Sequence, residues 1–313
     1  MARILTLTLN PALDLTVQLP LLAPGQVNRS TAMHTHAAGK GVNVAQVLAD
    51  LGHQVTVSGF LGEDNLQAFE ALFAHRGFVD AFVRVPGETR SNIKLAEDDG
   101  RITDLNGPGP QISAAAQQAL LDRLEQIAPG HAAVVVAGSL PRGVSAQWLQ
   151  ALLRRLKDKG LKVALDTSGE ALRAGLAASP WLIKPNTEEL AEVLDCDVLS
   201  LTAQAEAASR LHAQGIEHVV ISHGADGVNW FSVGSAMHAT PPRVSVASTV
   251  GAGDSLLAGM LHGLLSADTP EQTLRTATAI AAQAVTQIGF GIHDTAQLAQ
   301  LEQAVRVRLL TEQ

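Results

Sequence analysis

Short apolar segments alternate with amphipathic helical patterns along most of this chain, and that alternation constrains the fold more than any other feature. The predicted buried strands are Ile4–Leu9, Val55–Gly59, Ala133–Ala137, Val163–Asp166, Trp181–Lys184 and His218–Ser222. The predicted helices are Val42–Leu51, Leu66–Arg76, Ala115–Ile127, Ala146–Lys159, Glu188–Leu194 and Ala203–Gln214, with a helical pattern from Glu271 almost to the end. Alternating strands and helices form a mostly parallel sheet with helices on both faces, so the sequence predicts a doubly wound α/β fold.

Two segments break this alternation. Residues Asp14–His36 and Arg84–Leu105 alternate apolar and polar side chains between turn signals such as Pro24-Gly25 and Asp99-Gly100. This pattern is typical of half-exposed strands. We expect the two segments to form one small sheet, serving as a lid or a dimer surface. No linker-like stretch divides the chain, so we expect a single domain over residues 1–313.

The composition excludes several classes of function. The 313 residues are 46% hydrophobic and 17% charged, with a formal net charge of −8. No basic field is present to attract nucleic acid or anionic lipid, so neither is an expected partner. Cys196 is the only cysteine, which excludes an intramolecular disulfide and fits a reducing compartment. Because no signal-like segment or membrane-length apolar run is found, the expected location is the cytoplasm.

The segment Ser248-Thr-Val-Gly-Ala-Gly-Asp254 leads directly into an apolar helical pattern. The first N–H groups of a helix lack partners, and with the helix dipole they bind anions such as phosphate. A carboxylate at Asp254 would repel a phosphate there, unless it takes the proton of an alcohol that attacks the phosphorus. The segment therefore suggests phosphoryl transfer, although an ordinary N-cap aspartate also fits the segment taken alone.

A second glycine-containing segment, Ala37-Ala-Gly39-Lys40-Gly41-Val-Asn43, opens the first main helix. Its glycines permit close approach of a ligand, and Lys40 and Asn43 supply polar contacts. It lacks the Ser or Thr that follows Gly-Lys in a Walker A loop. The Gly251-Ala-Gly253 segment lacks the third glycine of a dinucleotide fingerprint, so a nicotinamide dehydrogenase gains little support.

Polar residues also follow two later predicted strands. In Lys184-Pro-Asn186-Thr-Glu188-Glu189, Asn186 and Glu189 have the spacing of a helix capping box, and the same side chains suit a hydrated Mg²⁺. In Ser222-His-Gly224-Ala-Asp-Gly227, two glycines form a turn that either lies against a nucleotide or closes a hairpin. The residues alone leave both pairs of alternatives open.

Further candidate ligands lie at strand ends or on the small sheet. Asp14 follows the first strand, although an isolated Asp in a turn is more often a cap or a solvated residue. Arg90 and Lys94 offer cations to a sugar phosphate. Ser139, in Gly138-Ser-Leu-Pro-Arg-Gly143, follows a buried strand and is expected at the edge of the sheet where ligands bind.

Taken together, these segments resemble the ribokinase-like carbohydrate kinases, in particular the phosphofructokinase branch. The resemblance covers nearly the whole chain, and the order and spacing of its motifs are specific. The motifs are Leu9-Asn-Pro-Ala-Leu-Asp14, Ala38-Gly-Lys-Gly-Val-Asn-Val-Ala45, Gly138-Ser-Leu-Pro-Arg-Gly143, Lys184-Pro-Asn-Thr-Glu-Glu189 and Ser248-Thr-Val-Gly-Ala-Gly-Asp254. The resemblance implies a ribokinase-like fold with a β-sheet lid that commonly also forms a dimer contact.

The resemblance also implies roles for individual residues. Asp254 would accept the proton of the sugar hydroxyl, while the N–H groups of Gly251, Ala252 and Gly253 stabilise the transferring phosphoryl group. The residues holding the sugar phosphate would be Asp14, Gly39, Lys40, Gly41, Asn43, Arg90 and Ser139. The residues surrounding ATP would be Lys184, Asn186, Ser222, Gly224, Gly227 and Thr249. Asn186 and Glu189 would hold Mg²⁺ through waters, and a monovalent cation is a further implied cofactor.

The implied activity is ATP-dependent phosphorylation of fructose 1-phosphate at its C6 hydroxyl, giving fructose 1,6-bisphosphate and ADP. Fructose 6-phosphate and tagatose 6-phosphate are alternative substrates within the branch, because the same donors suit several phosphosugars. From other classes, a nicotinamide oxidoreductase lacks its fingerprint. A non-catalytic sugar-phosphate sensor would not need the Asp254 carboxylate.

Overall fold

The computed structural model describes residues 1–310. The strands in that range are β1 (Arg3–Thr8), β2 (Ala12–Leu19), β3 (Ala32–Ala38), β4 (Gln54–Gly62), β5 (Val79–Asp80), β6 (Val83–Val85), β7 (Arg90–Glu97), β8 (Ile102–Asn106), β9 (Ala133–Ala137), β10 (Lys162–Asp166), β11 (Leu182–Ile183), β12 (His218–Ser222), β13 (Val228–Ser232), β14 (Ser235–Thr240) and β15 (Arg306–Leu309). The helices are α1 (Lys40–Asp50), α2 (Gln67–Arg76), α3 (Ala114–Ile127), α4 (Ala146–Asp158), α5 (Gly169–Leu176), α6 (Thr187–Leu194), α7 (Leu201–Ala213), α8 (Ala252–Ser266), α9 (Pro270–Ala284) and α10 (Thr295–Ala304).

The large sheet has the strand order β15-β14-β13-β12-β11-β10-β9-β1-β4-β5, with β6 also paired to β4. From β12 to β5 neighbouring strands run parallel, while β13, β14 and β15 pair antiparallel at one edge. The predicted doubly wound α/β fold is confirmed. Parallel strands place their carboxyl ends at one edge of the sheet, where the connecting loops meet the helix N-termini.

Each face of this sheet is covered by its own apolar core. In β9, Val134 and Val136 contribute to the core shared with α3 to α7, whereas Val135 packs into the core shared with α1, α8 and α9. Successive strand residues point to opposite faces, so a strand covered on both sides is apolar at every position. This is why the predicted strands read as continuous apolar runs.

The predicted helical pattern from Glu271 onward is only partly correct. Helix α9 ends at Ala284, a stretch of turns spans residues 285–294, and a strand rather than a helix occupies Arg306–Leu309. That strand alternates charged and apolar residues, and it pairs with β14 at the sheet edge. The alternation is a strand signal that the apolar content of the preceding helices obscured.

A second sheet of four strands, in the order β3-β2-β7-β8, is built from the two segments that break the alternation. Its first strand starts at Ala12 and its second ends at Ala38, slightly beyond the predicted segment. The second segment contributes from Arg90 rather than Arg84, because Val83–Val85 pairs with β4 in the large sheet instead. Directly paired residues share a face. Asp14 therefore shares a face with Asn92, and Leu15 shares the opposite face with Ile93.

No helix within residues 1–310 is both long enough and apolar enough to cross a membrane.

Candidate active site

A cavity of about 380 Å³ lies where the small sheet meets the carboxyl edge of the large sheet and the N-termini of α1 and α8. Its lining residues are Ala12, Asp14, Gly39, Lys40, Asn43, Arg90, Asn92, Asp166, Lys184, Asn186, Glu189, Ser222, Val250, Gly251, Gly253 and Asp254. Segments that are widely separated along the chain thus supply one pocket. Most of the residues predicted from the sequence are among them.

Asp254 lies in the first turn of α8 and is 6% exposed. The side-chain amide of Asn43, from α1, donates a hydrogen bond of 2.8 Å to Asp254 Oδ2. Burial raises the pKa of Asp254 to about 6, and the neighbouring Asp166 carboxylate adds to the rise. The Asp254 carboxyl group therefore titrates close to neutral pH, where a general base works best.

A cluster of opposite charges lies beside this carboxylate. Asp166, the last residue of β10, is 1% exposed and lies 3.1 Å from Lys40 Nζ and 3.3 Å from Lys184 Nζ. Burial alone would raise the pKa of Asp166, but Lys184 and Lys40 stabilise its charge and hold the pKa below its ordinary value. The cluster fixes two ammonium groups next to Asp254, where charge on a phosphate would be neutralised.

The turn before α8 is shaped to present backbone N–H groups. Gly251, the N-cap residue, has a φ of 83°, and a Cβ there would lie 2.8 Å from the ring of Phe290. Among residues 1–310 the N–H groups of Gly253 and Asp254 have no acceptor, whereas the Ala252 N–H is 3.5 Å from the Thr249 carbonyl oxygen. The helix start therefore offers unpaired donors to an anion in the cavity.

The small sheet supplies the opposite wall. Arg90 donates from Nε and Nη2 to the Asn10 carbonyl oxygen at 3.3 and 3.1 Å, and from Nη1 to Asn92 Oδ1 at 3.3 Å. Asn92 in turn donates to Asp14 Oδ1 at 3.0 Å. Each Nη atom carries two hydrogens, so one donor on each is left for a ligand. Burial raises the pKa of Asp14.

At the start of α6, Asn186 and Glu189 form the capping box that their spacing predicts. Asn186 Oδ1 accepts from the Glu189 N–H at 2.7 Å, and Glu189 Oε2 accepts from the Asn186 N–H at 3.0 Å. Both residues also line the cavity. The cap occupies one lone pair of the single side-chain oxygen of Asn186 and one of the two carboxylate oxygens of Glu189. It holds both side chains at the cavity wall and leaves acceptor capacity on each, so capping and cation binding are compatible.

Several predicted site residues lie outside the cavity lining. Thr249 and Ser139 are in adjacent turns, and Ala252 is the first residue of α8. Ser139 Oγ accepts from Asn10 Nδ2 at 3.1 Å. Gly41 packs so closely on β1 that a Cβ there would lie 2.4 Å from Thr8 Oγ1. The turn containing Gly224 and Gly227 joins β12 to β13 as an antiparallel hairpin.

Two polar lining residues were not singled out from the sequence. Asp166 was assigned only to the end of a buried strand, although a carboxylate at that position is the same signal that drew attention to Asp14. Asn92 sits two residues after Arg90 on β7, and only the pairing of β7 with β2 shows that it meets Asp14.

Comparison with protein families decides the assignment. The model of the pfkB family carbohydrate kinases matches residues 7–296. This chain belongs to that family. The prediction of a ribokinase-like carbohydrate kinase is confirmed, and a nicotinamide oxidoreductase is set aside.

Individual members of the pfkB family are similar over nearly the whole chain. A 1-phosphofructokinase of Vibrio cholerae is 47% identical over 308 residues, covering 98% of this chain and 97% of that protein. A 1-phosphofructokinase of Escherichia coli K12 is 46% identical over 298 residues and covers 95% of each chain. Among solved structures, phosphofructokinase-2 of Escherichia coli in complex with potassium superimposes with a TM-score of 0.90 at 29% identity, over 97% of this chain and 99% of that one.

Proposed function

We propose that this pfkB family kinase transfers the γ-phosphoryl group of ATP to the C6 hydroxyl of fructose 1-phosphate, giving fructose 1,6-bisphosphate and ADP. The observation that carries the reaction type is the buried Asp254 carboxylate with a pKa of about 6, beside the unpaired N–H groups that start α8. The 46–47% identity to two 1-phosphofructokinases supports fructose 1-phosphate over fructose 6-phosphate or tagatose 6-phosphate.

Asp254 accepts the proton of the attacking hydroxyl. The hydrogen bond from Asn43 orients the carboxylate, and its raised pKa makes it a stronger base than an exposed aspartate while it is still mostly ionised at neutral pH. As the C6 oxygen loses its proton, it attacks the γ-phosphorus and ADP leaves. The acid therefore has a role in the reaction that an N-cap residue would not need.

The transferring phosphoryl group is stabilised by the start of α8. Gly251, Ala252 and Gly253 form the turn whose N–H groups face developing charge, with Gly251 and Gly253 on the cavity wall. A Cβ at Gly253 would lie 3.2 Å from Lys184 Nζ, so the ammonium group is next to the same donors. Fixed donors and a cation act together here because neither has to reorganise during transfer.

The sugar phosphate occupies the wall formed by α1 and the small sheet. Asp14 and Asn43 contact sugar hydroxyl groups, and the Arg90 guanidinium binds the phosphate that does not react. Gly39 and Gly41 start α1, Ser139 lies beside Asn10, and Lys40 reaches from the same wall toward the transfer centre. The ion pair with Asp166 holds the Lys40 ammonium group beside Asp254. We therefore place this ammonium group between the phosphate of the sugar and the phosphoryl group that is transferred.

ATP lies along the edge formed by Lys184, Asn186 and Ser222, with Gly224, Gly227 and Thr249 in the adjoining turns. The Asn186 amide and Glu189 carboxylate fit Mg²⁺ held through waters, because hard oxygen ligands suit this ion and both side chains line the cavity. When bound, Mg²⁺ would neutralise charge on the ATP phosphates. A monovalent cation is a further proposed cofactor, supported by the potassium in the complex of the Escherichia coli phosphofructokinase-2.

The small sheet is proposed to act as a lid and as the contact of a homodimer. Its cavity face carries Asp14 and Asn92, while its other face carries apolar side chains that one chain leaves partly uncovered, including Leu15, Met33 and Leu105. Met33 is 57% exposed and Leu105 52% exposed. A second copy would cover this face. We further propose a cytoplasmic location.

The test is a coupled ADP-release assay with ATP, Mg²⁺ and a panel of phosphosugars. The expected result is the highest kcat/KM with fructose 1-phosphate and little ATP turnover without sugar. A preference for fructose 6-phosphate or tagatose 6-phosphate would contradict the substrate assignment. Sugar-phosphate binding without ADP release would instead indicate a sensor.

A further inference from the structure

The side chain of Asp50 joins three segments at the end of α1 remote from the cavity. Asp50 Oδ1 lies 2.7 Å from Arg76 Nη2, at the end of α2, and Asp50 Oδ2 accepts from the Ile292 N–H at 2.7 Å. Arg76 Nη2 also donates to the Gln46 carbonyl oxygen at 2.5 Å. The Asp50 side chain is 22% exposed and that of Arg76 19%. The C-terminal ends of α1 and α2 thus anchor the segment 285–294 at Ile292.

The backbone at that point accommodates the carboxylate closely. Gly291 has a φ of 110°, and a Cβ there would lie 2.6 Å from Asp50 Oδ2. A side chain at this residue would be strained by its φ and would displace the carboxylate. The approach of Asp50 to the Ile292 N–H therefore depends on glycine at this position.

The segment held in this way lies against the turn that starts α8. The ring of Phe290 covers Gly251, leaving no room there for a Cβ. The Val285 carbonyl oxygen accepts from the N–H groups of Ala247 and Ser248 at 2.7 and 3.2 Å. The segment 285–294 therefore contacts the Ser248–Asp254 turn, and none of its residues lines the cavity.

We propose that Asp50 is a positioning residue for phosphoryl transfer. By fixing Ile292, Asp50 holds Phe290 on Gly251. The Phe290 ring in turn holds the N–H groups of the Ser248–Asp254 turn in the geometry that receives the phosphoryl group. Helix α1 links both ends of the arrangement, since its N-terminal half carries Asn43, the hydrogen-bond donor to Asp254. The inference rests on the proposed function, because it assigns the transfer step to the α8 turn.

The role predicts a separation of kinetic effects. Loosening the Ser248–Asp254 turn should weaken stabilisation of the transition state more than binding of the sugar, because Arg90 and Asp14, which bind the sugar phosphate, are on the opposite wall. Asp50→Ala should lower kcat by about tenfold to a hundredfold, since a misplacement of about 1 Å in a catalytic geometry can cost roughly a hundredfold. The KM for fructose 1-phosphate should change by less than about threefold. Asp50→Asn keeps an acceptor for Ile292 and should lose less activity.

A double-mutant cycle with Phe290→Ala tests whether the effect runs through the ring. If Asp50 acts by placing Phe290, each single variant removes the same constraint, and the double variant should be little slower than the slower single one. Effects that multiply would show that Asp50 does not act through Phe290 and would overturn the proposal. Glu125→Ala is the matched control, because it removes an exposed ion pair between Glu125 on α3 and Lys159 at the end of α4, away from the cavity.

Hydrogen exchange gives a readout that does not depend on activity. In Asp50→Ala, exchange should become faster in residues 285–292 and in the 248–253 turn, with exchange in β9 and β10 unchanged. Unchanged exchange in 248–253, or a kcat within about twofold of the unsubstituted protein, would overturn the positioning role. Absence of kinase activity in the unsubstituted protein overturns the proposed function instead, so the two failures are distinguishable.

Discussion

The two walls of the cavity differ in how deeply their charged and polar side chains are buried. On the α8 side, Asp166 is 1% and Asp254 6% exposed. Asp166 pairs with the buried Lys184, and Asp254 accepts from the amide of Asn43. On the small-sheet side, Asp14, Arg90, Asn92 and Lys94 are all half-buried, and Asp104, which pairs with Lys94, is exposed. The comparison separates a buried, water-poor wall suited to chemistry from an open wall suited to binding.

The physical cause lies in what covers each wall. Residues at the ends of β10 and β11 inherit burial from strands covered on both faces, so their charges are held in a low-dielectric environment where they act strongly. Residues of the small sheet have a helix-free face and stay in contact with solvent, which weakens their electrostatic interactions. Substitutions on the buried wall should therefore affect kcat, and substitutions on the open wall should affect KM.

The largest effect is expected from the base. Asp254→Asn should lower kcat by roughly two to four orders of magnitude, the usual range for general-base catalysis, while nucleotide binding is nearly unchanged. Steady-state kinetics and nucleotide titration measure both. Asp158→Asn, an exposed aspartate at the end of α4, is the matched control. A variant keeping more than about a tenth of the original kcat would remove Asp254 from this role.

The same substitution should leave the fold intact and stabilise it at neutral pH. The folded-state pKa of Asp254, about 6, lies above its ordinary value of 3.8. Folding therefore favours the protonated form, and the ionised carboxylate destabilises the folded state increasingly as pH rises from about 4 to above 6. Asn carries no such charge, so the Tm of Asp254→Asn at pH 7 should exceed that of the unsubstituted protein. A lower Tm would show that lost activity reflects damage to the fold.

On the open wall, Arg90→Ala should raise the KM for the phosphosugar by roughly tenfold to a hundredfold, the equivalent of one or two charge-assisted hydrogen bonds. kcat and the KM for ATP should change little, because a contact to the unreactive phosphate is equally strong in the ground state and the transition state. Loss of ATP affinity with retained sugar affinity would show that Arg90 binds ATP rather than the phosphosugar, and would contradict the assignment of the small-sheet wall to sugar binding.

A smaller, pH-dependent effect should follow from Asp166→Asn. The Asp166 carboxylate contributes to the raised pKa of Asp254, and its removal also leaves Lys40 and Lys184 free to stabilise the Asp254 carboxylate. In the unsubstituted protein, kcat should fall as pH drops through about 6, as Asp254 becomes protonated. In Asp166→Asn this acid limb should move to lower pH. A limb that stays in place would mean that a group other than Asp254 controls it.

The smallest effect on catalysis is expected from the apolar face of the small sheet. Met33→Glu should weaken the proposed dimer by placing charge in a buried contact, while initial activity per chain changes little. Light scattering should give about twice 32.7 kDa for the unsubstituted protein and a lower mass for the variant at the same concentration. Addition of phosphosugar should slow hydrogen exchange in residues 84–105. A monomeric mass would contradict the dimer, and hydrogen exchange in residues 84–105 that is unchanged by phosphosugar would contradict the lid.

The α/β fold and most of the cavity could be predicted from local sequence, for a physical reason. Buried strands such as Ala133–Ala137 need continuous apolar runs, and the loops after parallel strands meet at one edge of the sheet, so motifs after separate strands converge there. The strand Arg306–Leu309 could not be predicted in this way, because it is stabilised by pairing with β14 rather than by its own pattern.

The sequence by itself determined which residue types end the strands and start the helices, including Asp254 after a glycine turn and the capping box at Asn186. Only the tertiary structure decided which of them meet. Asn43 and Asp254 are 211 positions apart, and Lys40 and Asp166 are 126 apart. Such pairs, like Asp50 with Ile292, depend on helix packing and strand register rather than on local spacing. The raised pKa of Asp254 is likewise a property of the folded chain, because burial, its main cause, does not exist until the chain has folded.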